Sequence, residues 1–250
     1  MQYGICPLSL APIRMLPDHS SEMVSQLLYG EHFKIIDQRK SWSKIRMALD
    51  RYEGWVSKGQ IALISENEYN DIEAMELQKC AADLVSFVET SQHTLVPLLM
   101  GSSIEPCSFL KHSFDGNINQ MVHDREHLIE TALFYLNGPY LSGGRSPFGI
   151  DNAGFTQMVY KINGYPLLRT AREQATQGIA LSFIEESEAG DLAFFDNNDG
   201  VIDHVGLIME NNYIIHAHEK VRIDRLDHTG IFNTEIGSYT HSLRVIKKVL

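Results

Sequence analysis

The sequence predicts an α+β protein in which small β-barrels precede a domain of helices followed by antiparallel strands. Three observations carry this. Residues 1–65 contain several short strand-like runs punctuated by turn residues. Two later stretches show helical spacing of apolar residues. The last sixty residues return to strand-like runs, and helices first with antiparallel strands after is an α+β plan.

The elements follow in order. ICPLSLAPIRM, VSQLLYG, HFKIID, SKIRMAL and EGWVS are separated by Pro17-Asp18, Gly30-Glu31 and Gly54, which predicts a small barrel over residues 1–65 with Trp42 and Trp55 in its core or at its rim. Residues 66–118 read as a short helix and further strands, either a second, degenerate barrel or a structured linker. The third domain spans residues 119–250. In REHLIETALFYLNGPY, Leu128, Ala132, Leu133 and Leu136 are expected on one helical face, with a stop at Asn137-Gly138-Pro139. After the Gly-rich loop LSGGRSPFG, the spacing of Phe155, Met158, Val159 and Ile162 predicts a second helix, capped by Asp151 and ended by Gly164 and Pro166. Thr170 and Glu173 form a capping box for a third. DLAFFD, VIDHVGLIME, NYIIHAH, KVRID and SLRVIKKVL are the closing strands.

The chain has 250 residues, 44% hydrophobic and 21% charged, an ordinary globular composition. Its formal net charge is −11 and no Lys/Arg cluster interrupts it, so neither nucleic acid nor an anionic membrane is an expected partner. No apolar run reaches the length of a membrane span. The N-terminus lacks a basic start followed by an apolar stretch, which predicts a cytoplasmic location unless a leader was trimmed. Cys6, Cys80 and Cys107 are far apart and show no metal-ligand spacing, so buried reduced thiols are expected.

A helix that starts abruptly after a Gly-rich loop presents free N–H groups and a positive dipole end, a setting that favours a thiolate. Yet the first-turn residue is Asn152, which is neither nucleophile, acid nor base. On the strands, His204 shares a face with Ile202 and Ile208, and His216 shares one with Ile214. With Asn211-Asn212 as the turn, the two rings converge, as a base and the group orienting it must. Taken singly, a histidine on such a strand is more often an ordinary core or surface residue. Asp203 falls on the opposite face and reads as a solvated strand residue. His218 shares the face of His216, so a metal pair is conceivable, but no third ligand stands at recognisable spacing and no metal or cofactor is expected.

PYLSGGRSPFGIDNAGF, PLLRTAREQATQG, GDLAFF, IDHVGLIM and NYIIHA, in that order, closely resemble the NlpC-type cysteine peptidases of papain-like fold, and residues 1–65 resemble the bacterial SH3-like domains that precede them. The resemblance implies hydrolysis of cell-wall (peptidoglycan, or murein) peptides at the bond from γ-D-glutamate to a diamino acid, with a free N-terminal L-Ala. It implies His204 as general base, His216 as the residue orienting it, and Tyr140 and Asp151 near the substrate's amino end. Where the family reads Asp-Cys-Ser-Gly-Phe, this chain reads Asp151-Asn152-Ala153-Gly154-Phe155, so Asn152 stands at the nucleophile position. Ser142 stands where relatives often carry Trp, and His218-Glu219 where they often carry Ser-Gly. The expected function is a pseudoenzyme that binds a peptidoglycan-derived peptide of the L-Ala-γ-D-Glu-diamino acid type, or a partner, without cleaving it. The alternatives are a hydrolase using water activated by His204 or by a metal on His204, His216 and His218, and a scaffold with no ligand.

Overall fold

The computed structural model describes residues 2–75, 79–120 and 122–250. The chain divides into two compact units, Met1–Val122 with Ser142–Pro147, and His123–Leu141 with Phe148–Leu250.

In the first unit, strands β1 (Gln2–Ile5), β2 (Leu10–Arg14), β3 (Met23–Leu28), β4 (His32–Arg39), β5 (Trp42–Met47), β6 (Glu53–Ser57) and β7 (Ala62–Ile64) form one antiparallel sheet in the order β3-β2-β6-β5-β4-β1-β7. Alternation along β2, β4 and β5 turns Ala11, Ile13, Phe33, Ile35, Ile45 and Met47 into a common core with Cys6, Leu27 and Val56. Trp42 and Trp55 are buried but lie outside that core cluster. Trp42 packs on His19, and Trp55 takes the Arg39 guanidinium over its ring.

Helix α1 (Glu66–Glu73) starts at Ser65, whose hydroxyl accepts from the Glu68 N–H while the Glu68 carboxylate accepts from the Ser65 N–H. Beyond it, β8 (Cys80–Ala81) pairs with β12 (Ile118–Asn119), and β9 (Val85–Thr90) lies between β10 (Leu95–Leu99) and β11 (His112–Phe114). Their core gathers Ala81, Val88, Leu98, Ile104 and Cys107 around Tyr29. All three cysteines are buried and none forms a disulfide, as their spacing predicts. Burial pushes the Cys6 thiol up to about 12.

The later segment Ser142–Pro147, which includes the two-residue strand β13 (Arg145–Ser146), also belongs to this unit. The Arg145 side chain is fully buried and forks onto the Glu31 carboxylate at 2.7 and 2.8 Å, while also donating to the Gln26 carbonyl. Gly143 makes the approach possible: its φ is +76°, and a Cβ there would sit 2.3 Å from the Met23 carbonyl oxygen.

The second unit begins with α2 (Arg125–Leu133), capped by Asp124. Its buried face is Leu128, Thr131, Ala132 and, past the helix end, Tyr135. Leu133 and Leu136, expected on that face, are exposed. The i, i+3, i+4, i+7 set beginning at Leu128 contains the tyrosine, whose ring meets Phe155 edge-on, and the two leucines lie a step around the helix from it. After the short β14 (Gly149–Ile150) come α3 (Asn152–Ile162) and α4 (Ala171–Gln174). Strands β15 (Ile179–Leu181), β16 (Leu192–Asp196), β17 (Ile202–Met209), β18 (Tyr213–His218), β19 (Lys220–Leu226), β20 (Gly230–Asn233) and β21 (Ser238–Lys248) follow. β16 to β21 pair successively, and β21 returns to β16, so six strands close into a ring with β15 added on β21. Asn211 and Asn212, both at positive φ, make the β17–β18 turn that the sequence predicts.

Candidate functional site

Asp151 precedes α3 in extended conformation and accepts from the Gly154 N–H at 2.6 Å, which fixes where the helix begins. Arg169 donates to both oxygens of the same carboxylate, at 2.6 and 3.1 Å. Gln174 then holds the first turn from α4: its amide donates to the Ala153 carbonyl at 2.9 Å, and its carbonyl accepts from Thr156 at 2.7 Å. The Thr170–Glu173 capping box orients α4 for this. Asn152 is the first residue of α3, and its amide donates to the carbonyl of Asp203, the residue before His204.

β17 and β18 bring the two predicted histidines together. Gly206 pairs opposite His216, and Ile208 opposite Ile214. His204, Gly206 and Ile208 therefore share a face with Ile214 and His216, and both isoleucines belong to the core of the strand ring. His204 Nε2 and His216 Nδ1 are 2.9 Å apart, and His216 Nε2 lies 3.1 Å from the Asp224 carboxylate. Burial alone would raise the Asp224 pKa, but hydrogen bonds from His216 and Arg222 bring it below the usual carboxylate value. An ionised carboxylate only accepts, so His216 carries its proton on Nε2 and presents the Nδ1 lone pair to the His204 N–H. Asp224 is gripped in turn by Arg222 at 2.6 Å, and Arg222 reaches Asn233 at 3.0 Å.

His204 is held neutral, its pKa driven well down first by burial and then by the neighbouring His216, His241 and His218. His216 is lowered too, by burial that its bond to Asp224 only partly offsets. A neutral imidazole offers a ring-nitrogen lone pair to a proton, and the same burial makes it a weaker base than an exposed histidine.

Gly206 is required by this packing. A Cβ there would lie 2.7 Å from Ile214 Cδ1 and 2.9 Å from His216 Cβ. Gly206→Ala is expected to cost about 1–3 kcal/mol by overpacking, measured as a lower midpoint in urea unfolding.

Of the other predicted site residues, Tyr140 is partly exposed and bonds through its N–H to the Glu219 carbonyl. Asp151 is occupied as cap and as the partner of Arg169. Ser142 is exposed and opens the Ser142–Pro147 segment of the first unit. Asp203 is exposed, as its strand phase predicts. The sequence reading missed Asp224, Arg222 and His241. His241 stacks on His204 with ring centroids 3.9 Å apart and contacts His218 at 4.8 Å. Strand alternation backwards from Leu243 would have placed it, since β21 begins at Ser238, four residues before the run SLRVIKKVL that marked it.

Residues 137–238 match the model of the NlpC/P60 family, and residues 13–61 match that of the bacterial dipeptidyl-peptidase SH3 domain. The γ-D-glutamyl-L-lysine dipeptidyl-peptidase of Bacillus subtilis (strain 168) is 29% identical over 215 residues, covering 77% of this chain and 71% of that protein. Dipeptidyl-peptidase 6 of Lysinibacillus sphaericus is 27% identical over 243 residues, covering 84% and 87%. Among solved structures, an NlpC/P60 family protein from Bacillus cereus ATCC 10987 superposes with a TM-score of 0.77 at 18% identity, over 99% of each chain. The fold is that of NlpC/P60 proteins with an SH3-like domain.

Proposed function

We propose that this chain, which carries an NlpC/P60 domain and a bacterial SH3 domain, binds a peptidoglycan-derived peptide of the L-Ala-γ-D-Glu-diamino acid type and does not cleave it by thiolate chemistry. The observation that carries the reading is Asn152 at the first position of α3. A primary amide has no nucleophilic state near neutral pH, so His204 has no acidic proton to take from it. The substrate class is supported by two relatives named as γ-D-glutamyl-L-lysine dipeptidyl-peptidases. The retained scaffold supports binding: the Asp151 cap, the Gln174 brace and the His204–His216–Asp224 relay are all in place.

The test is calorimetric titration with L-Ala-γ-D-Glu-L-Lys and its diaminopimelate counterpart, with chromatography of the same mixtures. Saturable binding with both peptides intact after overnight incubation is the expected outcome. Metal-independent hydrolysis by the native protein, or no binding of either peptide, would overturn the proposal.

A further inference from the structure

A base and one orienting group account for two of the histidines at this site, yet four rings lie together. His204, His216, His218 and His241 all have centroids within 6.4 Å of one another. We propose that His204, His216 and His241 form a binding site for a divalent transition-metal ion of the zinc class. One ring nitrogen from each lies within 4.8 Å of the other two. Zinc–imidazole bonds of about 2.0–2.1 Å in a tetrahedral site put ligand nitrogens roughly 3.3 Å apart. Small side-chain rotations close the set, and the ion takes the place of the proton shared by His204 and His216.

The surroundings orient the lone pairs as such a site requires. Asp224 accepts from His216 Nε2, which keeps the Nδ1 lone pair facing His204, able to ligate once the ion displaces the His204 proton, and makes the carboxylate–histidine pair that supports metal ligands. The Thr240 hydroxyl donates to the Ile231 carbonyl, so its oxygen accepts from His241 Nδ1 at 2.8 Å, which leaves His241 Nε2 with a lone pair. His218 Nδ1 is buried with no hydrogen-bond partner among the described residues, a further donor at the margin of the cluster. Imidazole nitrogens without a directly ligating carboxylate select zinc, copper or nickel over magnesium and calcium. The inference does not depend on peptide binding.

The test is titration of Zn²⁺ into EDTA-stripped, dialysed full-length protein, with Co²⁺ as a spectroscopic probe. A single saturable equivalent and visible Co²⁺ bands of tetrahedral intensity are expected. His241→Ala should weaken binding about tenfold or more, and Asp224→Asn should weaken it by about 10–100-fold. His127→Ala, on the exposed helix face, should leave binding unchanged. Circular dichroism checks folding, and His241→Gln is read if His241→Ala does not fold. The site is overturned by an absence of saturable Zn²⁺ binding, by binding that survives both His241 variants, or by binding lost in His127→Ala. Peptide titration of the stripped protein is read separately, so failure of one proposal is not failure of the other.

Discussion

Asn152→Cys is expected to carry a thiol that reacts with iodoacetamide near neutral pH faster than Cys6, Cys80 or Cys107, and to cleave L-Ala-γ-D-Glu-diaminopimelate faster than the native protein. The new sulfur would occupy the first position of a helix eleven residues long, where the dipole and unpaired N–H groups favour an anion. Proton transfer to the His204 ring would give an ion pair that lowers a thiol pKa below the free value of about 8.5, against the burial that disfavours the charged ring. The native thiols start from the opposite condition: all are buried, and burial raises both Cys6 and Cys107. Removing the nucleophile from a comparable relay costs about a millionfold in turnover. A misplacement near 1 Å forfeits about a hundredfold, so a gain of roughly ten-thousandfold over the native protein is expected. The assay is run in EDTA, because an ion on His204 and His216 would occupy the base. An unreactive introduced thiol would show that the histidines do not activate a nucleophile at position 152.

The second large effect concerns Glu31. Glu31→Ala is expected to lower the stability of the first unit by about 3–5 kcal/mol, because it strands the fully buried Arg145 guanidinium without its bidentate partner. Glu31→Leu combined with Arg145→Met should recover most of that loss, since a buried ion pair replaced by apolar groups of similar volume is often neutral. Urea unfolding of the three proteins separates the two results. Equal destabilisation in the single and double variants would mean that the stranded guanidinium is not the source of the loss.

The parts of the fold visible in the sequence are those where one residue's local chemistry decides. Asp151 and Thr170 cap their helices, Asn211-Asn212 turns its hairpin, and alternation along β17 and β18 put His204 and His216 on one side. What stayed hidden depends on partners distant in the chain. Asp151 reads as a cap, but nothing nearby shows that Arg169 grips it from eighteen residues on. Asp224 belongs to a strand that reads as alternating surface charge, and becomes part of the relay only because β19 lies beside β18. His241 sits in the polar half of β21, where hydropathy carries no strand signal, and reaches His204 only because that strand closes the ring. On α2 the leucines misled: hydropathy favoured Leu133 and Leu136, while helical phase gave the buried position to Tyr135.

The membership of Ser142–Pro147 in the first unit bears on how this protein divides as a gene. A coding fragment that stops at residue 122 looks like a clean module, since it includes every strand of the seven-stranded sheet. It would nevertheless omit the residue that neutralises Glu31, and would translate into a body with an acidic group sealed inside it. Exchange of this module between genes therefore needs two separated stretches to travel together, or a compensating change at Glu31 in the recipient. Portability is limited by six residues encoded downstream of the apparent boundary.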